Sequence, residues 1–190
     1  MQQKTLIIVG GSNGSGKTTL AEEIILVDNL KYLGADDIAR ELNPTNPEQA
    51  AIGAARLFSD RLNSALEQSE SLIIESTLAG MSLQKWIKKA RDFNYSIRIM
   101  FVYLDSPELC LKRIAARVER GGHDVPESDV RRRFDRSNNN FWHVYKNLAD
   151  EWSLFYNTGD NMAQVVAGDG VIEIVLDEAR YLQWKKMVKR

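Results

Sequence analysis

The chain has 190 residues, 44% of them hydrophobic and 27% charged, which suits one domain with a buried core. Its formal net charge of −1 supplies no global field toward nucleic acid or membrane, and no apolar run reaches the ~18–20 residues needed to span a bilayer. Cys110 is the only cysteine, which excludes an intramolecular disulfide and points to a reducing, cytoplasmic compartment.

After Met-Gln-Gln-Lys, the apolar run Leu6–Val9 with Gly10 is too short for a signal-peptide core. Thr5–Gly10 reads as a buried parallel strand, followed by a Gly/Ser-rich loop and a helix from Lys17 to Asp28. Tyr32–Ala35 reads as a second strand ending at Asp36-Asp37. Pro47 starts a helix on which Ile52, Ala55, Phe58, Leu62 and Leu66 recur at helical spacing. Ser71–Glu75 is a strand, Ser82 opens a helix, and Ser96–Leu104 is a long strand. Ser106-Pro107 starts a helix to about Arg120, which Gly121-Gly122-His123 breaks. Pro126 restarts a long helix carrying Phe134, Phe141, Tyr145, Leu148 and Trp152 on one side. Ser153–Asn157 is a fifth strand. Val165–Ala167 and Val171–Leu176 flank the turn Gly168-Asp169-Gly170, and Asp177–Arg190 is a final helix.

No repeat, low-complexity tract or Gly/Ser linker divides the chain, so residues 1–190 are expected to form one domain. Alternating strands and helices predict an α/β three-layer sandwich. Its central parallel sheet has about five strands, followed by a C-terminal hairpin and helix.

Gly11-Ser12-Asn13-Gly14-Ser15-Gly16-Lys17-Thr18 fits G-x-x-x-x-G-K-[ST] without a gap, between an apolar strand and a helix. Glycines let backbone N–H groups turn toward phosphate oxygens, and the following helix points its positive end at the same anion. The motif predicts a phosphate loop (P-loop) that binds ATP with Mg²⁺ through Gly11 to Thr19. Lys17 would serve the β- and γ-phosphates and Thr18 the metal.

Acids at strand ends are the next candidates, because open α/β sheets bind ligands there. Asp36 could accept a proton from an attacking hydroxyl, while Asp37 could cap the next helix; capping alone would also account for the pair. Glu75 closes an apolar strand and is a candidate to organise Mg²⁺, with Ser76 and Thr77 placed to meet substrate; a surface pair with lysine is the plainer alternative. Asp105 is left out of the site, since a capping box with Ser106 and Glu108 explains it. Arginines crowd residues 113–136, read as a mobile lid that clamps phosphates. Arg120 and Arg133 lead as catalytic candidates and Arg117 follows as a nucleotide contact; the others are expected in solvated ion pairs. His123 could touch substrate or nucleotide. Cys110, His143 and the four tryptophans read as packing, and the basic tail as a solvated face.

Gly11–Thr18, Ala35-Asp36-Asp37-Ile38-Ala39, Asn43-Pro44, Glu75-Ser76-Thr77-Leu78 and Arg120-Gly121-Gly122-His123-Asp124-Val125-Pro126-Glu127 together resemble the zeta-toxin-like kinases. The best fit is the short branch labelled predicted ABC-type ATPases, and Arg131-Arg132-Arg133-Phe134 and Asn147–Trp152 also resemble that branch. The resemblance runs from about Leu6 to Asn157. It implies a kinase that uses ATP or GTP and Mg²⁺, with UDP-N-acetylglucosamine as acceptor in characterised zeta toxins. It also implies Asp36 as general base, Glu75 and Thr77 at the substrate, and a small helical antitoxin as partner. Ala35 stands where the family usually carries asparagine. Two other readings stay open: a kinase for another metabolite or a polynucleotide end, and a nucleotide-binding regulatory module with little turnover. The near-zero net charge does not favour a nucleic-acid partner.

Overall fold

A computed structural model describes residues 3–28, 30–159 and 161–188. Among them are strands β1 (Thr5–Gly10), β2 (Lys31–Leu33), β3 (Leu72–Ser76), β4 (Ser96–Tyr103), β5 (Glu151–Tyr156), β6 (Ala163–Gly168) and β7 (Glu173–Val175). They form one sheet in the order β2-β3-β1-β4-β5-β6-β7. The first five are mutually parallel, as expected, and the expected terminal hairpin extends the sheet, with β6 antiparallel to β5 and β7 antiparallel to β6.

The helices are α1 (Lys17–Asp28), α2 (Ala35–Leu42), α3 (Ala51–Glu67), α4 (Leu83–Asp92), α5 (Pro107–Glu119), α6 (Glu127–Asn140) and α7 (Glu178–Met187). They cover both sheet faces, which is why β1 is apolar throughout. Alternate residues serve opposite layers. Leu6 and Ile8 join Leu62 and Leu66 of α3, Ile87 of α4 and Trp184 of α7, whereas Ile7 and Val9 meet Leu20 and Ala21 of α1. A third cluster, including Leu104, Cys110, Ile114, Val130 and Phe134, packs α5 against α6. No helix among the described residues is long and apolar enough to cross a membrane.

Local differences from the sequence reading have physical causes. The second strand stops at Leu33; Gly34 is the N-cap of α2, so Asp36 and Asp37 occupy the helix's first turn. Neither acid caps it, but both carboxylates sit where the helix dipole favours negative charge. Pro47 starts a 3-10 turn (Pro47–Ala50), and α3 follows. Leu62 and Leu66 are buried as expected, whereas Ile52 is 74% exposed and Ala55 also faces solvent.

The long helix expected through Trp152 instead changes pitch twice. After α6 come a π turn (Phe141–Tyr145) and a 3-10 turn (Lys146–Leu148), and Trp152 belongs to β5, opposite Ile99. These changes bury Phe141 and Tyr145 together, with Phe141 stacked on Phe101 at 4.4 Å. Trp142 meets Trp152 and Trp184 edge-on at 6.2 and 5.2 Å, so these indoles pack the core, as read.

Gly168 remains in β6, and Asp169 shapes the connection by accepting from the Val171 and Ile172 amides. Asp177 caps α7 by accepting from the Arg180 amide. Met1, Gln2, Lys189 and Arg190, parts of the expected N-terminus and basic tail, lie outside the described residues.

Candidate active site

Parallel register brings the site together. Val9 lies opposite Glu75 and Gly10 opposite Ser76, so the end of β3 stands beside the root of the loop leaving β1. The loop turns where side chains would not fit. At Gly11, φ is +147° and a Cβ would stand 2.3 Å from the Val102 carbonyl oxygen; at Gly16, φ is +100° and a Cβ would stand 2.3 Å from Asn157 Nδ2. The Ser15 amide donates to Ser12 O at 3.2 Å, closing the turn. The buried Ser15 hydroxyl makes no hydrogen bond among the described residues.

Lys17 leads into α1 and its ammonium donates back to Ser12 O at 2.9 Å. Part of its side chain remains accessible, but the ammonium lies deep among protein atoms. Burial lowers its pKa, and the nearby carboxylates of Glu75 and Asp36 act against that. Thr18 Oγ1 donates to Glu75 Oε2 at 3.2 Å, which joins the two residues expected to serve a metal. Burial pushes the Glu75 carboxyl above its ordinary value, opposed by the Tyr32 hydrogen bond, Lys17 and Thr18. Asp36 is exposed, within electrostatic reach of both Lys17 and Glu75, while Asp37 pairs with Arg40 at 2.5 Å. Lys17, Thr18, Glu75 and Asp36 therefore converge. Thr19 is exposed on the first turn of α1.

Thr77 follows β3, and its backbone carbonyl accepts from Ser137 of α6; Asn140 of the same helix donates to Leu78 O at 2.8 Å. Leu78 is held at φ +54°, an unusual conformation for leucine, and these contacts brace it.

The lid arginines divide. Arg133 reaches Asn13 Oδ1 at 3.4 Å and pairs with Asp129 at 2.9 Å, so it borders the loop. Arg117 donates to His123 O at 2.5 Å and lies close enough to Lys17 to disfavour its charge. Arg120 is exposed at the C-cap of α5 and makes no side-chain hydrogen bond or ion pair among the described residues. Arg131 and Arg132 form surface pairs with Glu108, Glu127 and Asp129, as read, whereas Arg113 donates to the Asn157 carbonyl. His123 Nε2 lies 3.9 Å from Glu48 Oε1, across from the turn that precedes α3.

Cys110 fills the core, as read, and its sulfur also lies 3.3 Å from the Ser12 hydroxyl, against the loop. Asp105 has a different task from capping. Ser106 is the N-cap of α5, and the Asp105 carboxylate accepts from Tyr156 and Gln183 at 2.7 and 3.0 Å.

Sequence reasoning missed Tyr32, which donates to Glu75 Oε1 at 2.7 Å, and Asn157, which donates to Ser15 O at 2.8 Å. Asn157 is a polar residue immediately after a strand running toward the loop, a signal that could have marked it. Tyr32 carries no comparable signal.

The model of the family described as "AAA domain" matches residues 6–138. An uncharacterized protein of Haemophilus influenzae is 33% identical over 137 residues, covering 70% of this chain and 95% of its own length. A cytidylate kinase of Archaeoglobus fulgidus is 26% identical over 189 residues, covering 90% of this chain and 92% of its own. Among solved structures, a chain of the AvrRxo1-ORF1:-ORF2 complex with ATP superposes with a TM-score of 0.77 at 17% identity, over 99% of this chain. The present chain spans 65% of that one. A chain of the PezAT chromosomal toxin-antitoxin system of Streptococcus pneumoniae superposes with a TM-score of 0.67 at 12% identity, over 99% of this chain and 79% of its own. At these identities the structural likenesses establish the fold alone, a mixed α/β arrangement around a central, mostly parallel sheet.

Proposed function

The chain belongs to the AAA-domain family, and from that premise we propose that it is a kinase, moving the γ-phosphoryl group of ATP to a hydroxyl of a small molecule. The observation that carries the reading is the convergence of Lys17, Thr18, Glu75 and Asp36 at the mouth of the glycine loop. The loop suits a triphosphate: glycines stand where a Cβ would collide, a buried Ser15 hydroxyl is unpaired among the described residues, and an ammonium is held beside the loop. Among the described residues no three His, Cys, Asp or Glu side chains gather as a metal cluster. Thr18 and Glu75 are the residues that would hold Mg²⁺, which would supply neutralisation of phosphate charge.

In this mechanism the loop amides and Lys17 hold the nucleotide, whether ATP or GTP. Asp36 orients the acceptor hydroxyl and takes its proton as the new O–P bond forms and the β–γ bridge bond breaks, leaving ADP. Thr77 borders the acceptor. Arg133 and Arg117 neutralise charge on the transferring group. Arg120 joins them only if the lid of residues 113–136 moves inward. Residues 1–190 act as one domain in a reducing cytoplasm, as the single cysteine suggests.

By resemblance to zeta toxins, the first acceptor to test is UDP-N-acetylglucosamine, and a small antitoxin is the corresponding partner, which the likeness to a chain of the PezAT toxin-antitoxin system favours. The cytidylate kinase relative favours a second acceptor, a nucleoside monophosphate, whose phosphate oxygen would attack instead. The test is acceptor-dependent ADP release with product mass, comparing UDP-N-acetylglucosamine and CMP, with Asp36→Asn as control. A product heavier by one phosphoryl group, lost in Asp36→Asn while ATP affinity stays similar, supports the reading. Full activity in Asp36→Asn removes the base assignment. ATP binding without turnover on any acceptor favours a regulatory nucleotide-binding module.

A further inference from the structure

β2 has only three residues, yet it places one side chain at the centre of the candidate site. Tyr32 pairs in register with Ile73, two residues before Glu75, and its phenol reaches along β3 to donate to Glu75 Oε1 at 2.7 Å. The other carboxylate oxygen accepts from Thr18 at 3.2 Å, so the carboxylate is held at both ends by hydroxyls from different elements. Room for the phenol comes from Gly34, where a Cβ would lie 2.5 Å from the Tyr32 oxygen and 2.7 Å from Asp37 Oδ2. Gly34 has φ −112°, which any residue adopts, so this glycine answers a need for space and not for backbone freedom.

We propose that Tyr32 is a positioning residue that fixes the Glu75 carboxylate beside Thr18, so that the pair meets a nucleotide-bound divalent cation already oriented. The inference rests on the kinase reading for its nucleotide site but needs no acceptor. Without the phenol hydroxyl, Glu75 keeps only the Thr18 bond and its terminal torsion is released, which weakens its hold on a metal.

Mn²⁺ serves as the probe, with free Mn²⁺ followed by electron paramagnetic resonance in the presence of ATP. Tyr32→Phe should bind Mn²⁺·ATP about tenfold more weakly than wild type, with ATP affinity in the absence of metal unchanged. Gly34→Ala, which keeps the hydroxyl but displaces it, should reproduce that loss and carries the test should Tyr32→Phe fail to fold. Wild-type Mn²⁺·ATP affinity in a folded Tyr32→Phe or Gly34→Ala protein overturns the inference and leaves the kinase reading intact. A wild-type protein that binds no Mn²⁺·ATP overturns both.

Discussion

The side-chain amide of Asn157 donates to the backbone carbonyl of Ser15 at 2.8 Å, a contact between residues 142 apart in sequence. Asn157 is itself held, since its carbonyl accepts from Arg113 at 2.5 Å and its amide donates to Tyr103 O at 3.1 Å. The phosphate loop is thus tied to the end of β5. Asn157→Ala should cost about 1–2 kcal/mol of stability and weaken ATP binding. Asn157→Asp, which sets a carboxylate against a carbonyl, should cost more. Denaturant unfolding and calorimetric titration with ATP check the order; equal ATP affinity in both variants would sink the idea that this tie shapes the loop.

Lys17 is the group for which pH gives a signed expectation. Burial lowers its pKa below 10.5, so between its folded value and 10.5 the unfolded chain binds more protons than the folded one. The contribution of Lys17 to stability therefore rises with pH through that window. Lys17→Met should abolish turnover and remove this part of the slope, which chemical unfolding across a pH series measures. An unchanged slope would show that the ammonium is less desolvated than its surroundings imply.

The lid arginines are separable by geometry. Arg133 touches Asn13, whereas Arg120 is exposed at the end of α5. Arg133→Ala should lower kcat/KM about 10- to 100-fold, equivalent to a charge-assisted hydrogen bond of about 1.5–3 kcal/mol. Arg120→Ala should stay within about threefold unless the lid carries it inward. Steady-state kinetics on the two variants decide, and a larger loss at Arg120 would establish closure of that segment.

Trp184 anchors α7 to the rest of the molecule. It is fully buried, sits 5.8 Å from Phe141 and 5.2 Å from Trp142, and donates to Asn138 Oδ1 at 3.2 Å. Trp184→Ala should destabilise by about 3–5 kcal/mol, since it opens a cavity and strands a buried amide. Thermal unfolding measures it; a loss under about 1 kcal/mol would mean that α7 contributes little to the fold.

What could be read without coordinates was local. β1, the glycine loop and α1 follow from contiguous residues, and the predicted bounds of β1 and α1 match the structure. Thr18 and Glu75 were each legible from motif and strand end, but their 3.2 Å contact follows from the register of β1 with β3. Trp152 misled because its helical spacing after Phe141 imitates an amphipathic pattern, while pairing with β4 decides its conformation. Tyr32 and Asn157 act on residues 43 and 142 positions away, through hydroxyl and amide chemistry that no short motif encodes.

The strand order has a consequence for how the molecule is made. β1 precedes the other described strands in the chain but lies between β3 and β4, whose paired residues are 66 and 91 positions downstream of it. On the ribosome β1 must wait for both neighbours, and Asn157 arrives after a further stretch of chain. A nascent chain released before β5 therefore carries every residue of the nucleotide motif yet lacks the scaffold that shapes it. Premature termination should yield an inert product and not a partly active one.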